Sequence, residues 1–213
     1  MALVDSPRLV AMFNAIADTM SAEKERLCAL DGVIGDADHG IAMELGFIAV
    51  RQALSQIDAL ATEPTAVFNL AAKSFLNAVG ASSGPLYATA FMRAGAAVKG
   101  KQQLSDGDIV AAIQVMAKGI QDRGKAEPGE KTMIDVWHPA SLAIGTAFSE
   151  GRSLVDCLDA ALSAAKAGAE GTKGMTATKG RAARLGERSL GHMDSGAASA
   201  VSIIAAMRSS LID

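Results

Sequence analysis

The sequence predicts an all-α protein, and three observations carry that expectation. Alanine supplies 43 of the 213 residues, and Ala, Leu, Met, Lys and Glu all lose little side-chain freedom in a helix. Aromatic residues make up only 4% of the chain, too few for the pleated faces of a β-sandwich. Apolar residues recur at three- and four-residue intervals between capping signals along the whole length.

The first helix opens at Ser6 as N-cap with Pro7 at the first helical position, and Val10, Phe13, Ile16, Ala17 and Met20 form its stripe. A second apolar-periodic run covers 40–61 and stops at the polar turn TEPT. Pro64 opens a third helix carrying Val67, Leu70, Ala71, Phe75 and Val79, and Pro85 a fourth through Leu86, Thr89, Met92 and Ala96. Ser105, with Asp106 and Asp108, caps a fifth that ends near Gly124. The sixth spans 132–150, where Pro139 kinks it or delimits its first turn. The seventh starts at Ser153 and runs past Ala167. The eighth begins around Asp194 and carries Ala197, Val201, Ile204, Met207 and Leu211. Eight helices on short connections imply antiparallel neighbours in an up-and-down arrangement, a single domain over 1–213.

The balance of 20 basic and 23 acidic residues leaves a net charge of −3, which disfavours nucleic acid as a partner. Cys28 and Cys157 are too few for a disulfide framework or a zinc site and read as buried free thiols of a reducing compartment. The first 20 residues lack a basic segment followed by a continuous apolar one, so no signal peptide is expected. No stretch offers about 18 consecutive apolar residues, so no membrane span is expected either. The expected location is cytoplasmic.

Four segments differ from ordinary helix turns: LDGVIGDADHG (30–40), VGASSGP (79–85), RGKAEPGEKT (123–132) and TKGRAARLGERSLGHMDSG (178–196). Long loops in a helical domain usually carry function. The first places Asp31, Asp36 and Asp38 among three glycines. Carboxylates this close repel unless a cation or hydrogen-bond donors join them, and an all-oxygen set points to Mg²⁺ or Ca²⁺. An EF-hand is excluded: counted from Asp36, position 12 would be Phe47 instead of a bidentate Glu. Mg²⁺ fits better, completing its octahedron with water and phosphate oxygens. The plain alternative is that Asp36 and Asp38 cap the next helix.

Gly80, Ser82, Ser83 and Gly84 ahead of Pro85 form either an anion pocket at a helix N-terminus or a simple Gly/Ser turn. GKAEPGEKT departs from the phosphate-loop spacing because Glu130 separates Gly129 from Lys131 and Thr132. Lys179, Arg181, Arg184 and Arg188 read as a solvated face or as a ligand-covering segment whose arginines suit phosphate. Of three histidines, His39 beside the carboxylates is the functional candidate, and His138 reads as structural.

Together IGDADHG, GASSGPLY, RGKAEPGEKTMIDVW and KGRAARLGERSLGHMDSGA resemble, in order and over essentially the full chain, the nucleotide-binding subunit of dihydroxyacetone kinases. The same module forms the C-terminal half of single-chain ATP-dependent enzymes. The resemblance implies a barrel of eight antiparallel helices with the nucleotide, ADP or ATP, at one end. It implies two Mg²⁺ ions on Asp31, Asp36 and Asp38, and a phosphate against His39, Gly40, Ile41 and Ala42. Ser82 and Ser83 would contact phosphate oxygens, Gly124, Thr132 and Met133 would border the adenine, and Arg181, Asp194, Ser195 and Gly196 would complete the site. Family members often carry Asn, Thr or Ser where this chain has Ala42, so a backbone N–H would serve there. The implied partner is a separate subunit holding the ketose (dihydroxyacetone or a larger one such as erythrulose) on a histidine. The donor is either exchangeable ATP or a phosphocarrier of the sugar phosphotransferase system that recharges bound ADP. Relatives that bind a transcription factor make a regulatory module the alternative function.

Overall fold

A computed structural model describes residues 3–212, so residues 1, 2 and 213 of the expected domain lie outside the described residues. Among the described residues there are eight α-helices: α1 (Ser6–Ile34), α2 (His39–Leu54), α3 (Pro64–Ala78), α4 (Ser83–Ala97), α5 (Asp106–Gly124), α6 (Ile134–Ser149), α7 (Leu154–Gly171) and α8 (Ser195–Ile212). Two 3₁₀ segments, Thr172–Gly174 and Ala182–Ser189, lie between the last two helices. The all-α expectation holds.

Each helix packs on the next in sequence, and α8 returns to α1, which closes the ring. The turns 35–38, 79–82 and 150–153 have four residues each and reach at most about 13 Å. A 15-residue helix is about 22 Å long. These turns therefore join neighbouring ends, and the flanking helices run antiparallel. At the far end Val4 and Leu104, which precede α1 and α5, exchange backbone hydrogen bonds of 3.0 and 2.8 Å. The even-numbered helices thus start at one end of the ring and the odd-numbered ones at the other.

Seven of the eight aromatic residues form one buried, mostly edge-to-face cluster: Phe13, Phe47, Phe68, Phe75, Tyr87, Phe91 and Trp137. A Cβ on Gly46 would lie 2.4 Å from the Phe75 ring, so glycine there lets α2 approach α3. At α6 the internal Pro139 cannot donate to the Asp135 carbonyl. A Cβ on Gly168 would lie 2.0 Å from that carbonyl oxygen; glycine lets α7 close over the gap. Helix α8 is apolar enough in length and hydropathy to span a membrane, yet 67% of it is buried within the ring.

Several boundaries differ from the sequence reading. The cap of α1 is Asp5, whose Oδ1 accepts from Arg8 N at 3.0 Å. Helix α1 runs on through Asp31 and Gly32, because Leu27 and Ile34 continue its buried face and packing outweighs the Asp-Gly turn signal. Helix α2 ends at Leu54, since Ser55 Oγ donates back to the Gln52 carbonyl of its last turn, and Asp58 and Thr62 bond to backbone groups of the turn that follows. Helix α4 begins at Ser83, and Pro85 sits in its first turn, where the missing N–H has no intrahelical partner to lose. Cys157 is buried, but Cys28 is only half-buried.

Candidate functional site

A cleft of about 770 Å³ opens at the end of the ring where α2, α4, α6 and α8 begin. Helix N-termini present unpaired N–H groups and partial positive charge. No side chain caps α2 or α4; the first N–H groups of α2 face that end, and in α4 the Ser83 N–H does, since Gly84 N donates to the Ala81 carbonyl and Pro85 has no N–H.

The acidic trio assembles across the α1–α2 turn. One ligand oxygen from each of Asp31, Asp36 and Asp38 falls within 4.8 Å of the others. Asp31, in the last turns of α1, accepts from Ser195 Oγ at 2.9 Å and from Asp38 N at 3.1 Å. A Cβ on Gly35 would sit 2.6 Å from Asp31 Oδ1, so glycine lets the chain double back over that carboxylate. Ala37 completes the turn with φ of 62°. Arg181, from the 172–194 excursion, pairs with Asp36 and lies 3.4 Å from Asp38. The donor set suits a hard divalent cation: all oxygen, three negative charges, and one guanidinium as the nearby compensation.

His39 opens α2 and turns Nε2 to within 2.8 Å of Ser199 Oγ. Burial holds its pKa below the ordinary imidazole value, against the opposing charge of Asp31. Ala42 also lines the cleft. Gly40 and Ile41 do not: Gly40 packs against Lys24 and Cys28 of α1, and the Ile41 side chain is 44% exposed. Ser82 and Ser83 line the cleft at the start of α4, and Ser83 Oγ is buried without a hydrogen-bond partner. Gly124, Thr132 and Met133 form another stretch of wall, together with Leu86, Ile120 and Ala126, an apolar patch. Arg181, Asp194, Ser195 and Gly196 complete the lining.

Two buried charges support this wall. Asp135 accepts from Gly129 N and Thr132 N at 2.5 and 2.8 Å, shaping the loop before α6. Lys131 is only 1% exposed, and its Nζ donates to the Thr172 and His192 carbonyls at 2.6 and 2.5 Å. It thereby pins both ends of the excursion that carries Arg181. Burial lowers the Lys131 pKa against the pull of Asp194 and Asp135. Asp194 caps α8, accepting from Ala197 N at 2.7 Å, and burial pushes its carboxyl up to about 7.

Sequence reasoning missed the supporting roles of Lys131, Asp135 and Ser199. Lys131 carried a signal, a lysine two residues after a turn glycine, but its partners lie 41 and 61 residues away.

A family model described as DAK2 domain matches residues 33–209. The chain is 39% identical over 193 residues to the ADP-binding subunit DhaL of the PEP-dependent dihydroxyacetone kinase of Escherichia coli (strain K12), covering 90% of each chain. It is 34% identical over 179 residues to the ADP-binding subunit DhaL of the PTS-dependent dihydroxyacetone kinase of Lactococcus lactis, covering 84% of each. The crystal structure of the dihydroxyacetone kinase of C. freundii in complex with AMP-PNP and Mg²⁺ superposes with a TM-score of 0.72 at 24% identity. That alignment covers 99% of this chain and 35% of the kinase, so the fold corresponds to about a third of the larger protein.

Proposed function

Because this chain belongs to the DAK2-domain family, we propose that it is the nucleotide-binding phosphotransferase subunit of a dihydroxyacetone kinase. The observation that carries the reading is the convergence of Asp31, Asp36 and Asp38 at the mouth where α2 and α4 offer uncapped N-termini. Those three carboxylates would hold Mg²⁺, in a pair of ions, which neutralises phosphate charge when bound. The residues themselves supply positioning. The Ser82 and Ser83 hydroxyls, the Ser83 N–H and the first N–H groups of α2 donate to phosphate oxygens, and Arg181 adds a planar cationic donor. The apolar wall of Leu86, Ile120 and Met133 takes the base. Phosphoryl transfer requires orientation and charge compensation more than a protein nucleophile, and none is needed here.

The acceptor in this reading is a ketose presented by a partner subunit, and the whole of 1–213 acts as one cytoplasmic domain. We further propose that the chain keeps ADP bound and receives the phosphoryl group from a phosphocarrier; what supports this over exchangeable ATP is that the two relatives described above, PEP-dependent and PTS-dependent, match over most of their own length. Mass spectrometry of the natively purified protein tests this. ADP that survives dialysis and resists exchange by ATP supports the coenzyme mechanism. Rapid exchange, with ATP phosphorylating dihydroxyacetone once the partner subunit is added, would establish direct ATP use. Absence of any nucleotide affinity in Mg²⁺ buffer would overturn the assignment.

A further inference from the structure

Lys131 anchors the two ends of the excursion that carries Arg181, but Arg181 itself stands well beyond those anchors. Ser189 ties the legs of the excursion only to each other, accepting from Ala177 N at 2.9 Å and donating to the Gly186 carbonyl at 2.7 Å. Among the described residues, the polar contacts that join 175–180 to anything outside the excursion all go to Glu130. Its carbonyl accepts from Thr178 N at 3.4 Å, its Oε1 accepts from the Thr178 hydroxyl at 3.1 Å, and Lys179 Nζ stands 3.7 Å from the same oxygen. Its Oε2 accepts from Glu127 N at 2.8 Å. An ionised carboxylate has no proton to give, so the donor in each contact is unambiguous. The Glu127 N–H, ahead of Thr178 and Lys179, holds this carboxyl below its ordinary value against desolvation.

We propose that Glu130 is a positioning residue: its carboxylate and carbonyl hold Thr178 against the loop that borders the apolar wall, and thereby present Arg181 to the phosphate end of the cleft. Only Lys179 and Gly180 separate Thr178 from Arg181, a reach of at most about 11 Å, and Gly180 turns the chain there with φ of 64°. Without Glu130 the tip of the excursion would be held to the mouth by the exposed Arg181 pairs with Asp36 and Asp38, and such pairs fix a side chain weakly. With it, the base wall and the guanidinium stand on one body, as binding the base and the phosphates of one ligand requires.

The part Arg181 plays in binding rests on the nucleotide reading; the clamp on Thr178 does not. A double-mutant cycle on full-length protein separates positioning from a merely structural role. ADP affinity in Mg²⁺ buffer, by calorimetric titration, should fall about tenfold in Glu130→Ala, the effect of one hydrogen bond to a charged group. It should fall by no more than about twofold when Arg181→Gln is already present, because the loss runs through Arg181. Glu130→Gln should bind like wild type: its amide oxygen keeps the Glu127 N–H, its NH₂ donates to the Thr178 hydroxyl oxygen, and only the exposed Lys179 pair is lost. Amide exchange of the nucleotide-free protein should accelerate over 178–184 in Glu130→Ala and stay at the wild-type rate in Glu130→Gln. An equal loss of affinity in both backgrounds, wild-type affinity or exchange in Glu130→Ala, or no rescue by Glu130→Gln would overturn the proposal. Faster exchange over 178–184 in Glu130→Ala together with no ADP binding by wild-type protein would sustain the clamp and sink the nucleotide reading.

Discussion

Replacing Asp36 by Asn should move stability and ligand affinity in opposite directions. Ligand oxygens of Asp31, Asp36 and Asp38 fall within 4.8 Å of one another. At that separation a like-charge pair costs about 0.9 kcal/mol in water, so removing the Asp36 charge relieves two such terms, less the screening by salt. Against this stands the Asp36–Arg181 pair, whose side chains are 41% and 57% exposed and which is worth no more than about 1 kcal/mol. The free protein should gain on the order of 1 kcal/mol, a melting temperature about 2–4 °C higher for a chain of this size. Magnesium and ADP at 100 times Kd stabilise wild-type protein by about 2.7 kcal/mol, or about 5–10 °C on the same scale. The variant should lose that increment, with helical content by circular dichroism unchanged. Calorimetric melts with and without magnesium-ADP read both effects from one sample. A variant that melts like wild type in magnesium-ADP, with the full increment, would refute the metal assignment.

Three further outcomes follow from the same geometry. Gly40→Ala would place a Cβ 2.1 Å from the Lys24 carbonyl oxygen; α1 and α2 must separate, at a cost of about 3 kcal/mol, visible as a lower urea midpoint. Lys131→Met leaves the His192 carbonyl unpaired and the Thr172 carbonyl with Met175 N alone, and amide exchange should accelerate over 172–194 while the α2–α4 core stays protected, with a global loss of about 2 kcal/mol. Asp194 bears on pH. Its folded pKa, about 7 against 3.8, means that the folded state holds a proton that the unfolded state has released between those values. Its contribution to stability therefore falls as pH rises from about 4 to 7. Asp194→Asn keeps a capping oxygen and should be more stable than wild type at pH 8 and no different at pH 3.5; equal stability at both would show the carboxyl is ionised without penalty.

Local signals are where sequence reasoning succeeded. The capping residues Ser105 and Ser153, the stripe of α3 and the carboxylate trio all lie within a few residues of what they control, and each sits where expected. The helical course of Asp31 was hidden, since an Asp-Gly pair looks the same whether or not Leu27 and Ile34 are buried on either side. Contacts across the ring were hidden altogether. Arg181 meets the trio from 143 residues beyond Asp38, and Ser195 meets Asp31 across 164 residues. Only the closure of α8 on α1 brings them together. Gly40 and Ile41 show a further limit, because a place next to the site does not turn a side chain toward it: one Cα faces α1 and the other side chain solvent, which leaves their backbone N–H groups as what they offer the cleft.

The topology also explains why an anion site should be lined with acids. Alternating helix direction brings four N-termini to the cleft, each worth roughly half a positive charge. Of the four carboxylates that line it, Asp194 is committed to a backbone donor at the cap of α8, as is Asp135 behind the wall, in the first turn of α6. That leaves the trio, of which only Asp31 has donors of its own apart from Arg181. Its three negative charges face roughly two positive charges from the helix ends and the guanidinium of Arg181, while Arg123, Lys179 and Arg184 stand elsewhere along the lining. Phosphates seated on the helix ends add negative charge directly beside the three carboxylates, so their binding favours cations held between the two. The trio is the place for those cations, and the uncapped starts of α2 and α4 are the place for the phosphates. Acid and anion share one cleft because each needs the same third component, and a chain without the trio would bind phosphate at these helix ends only weakly.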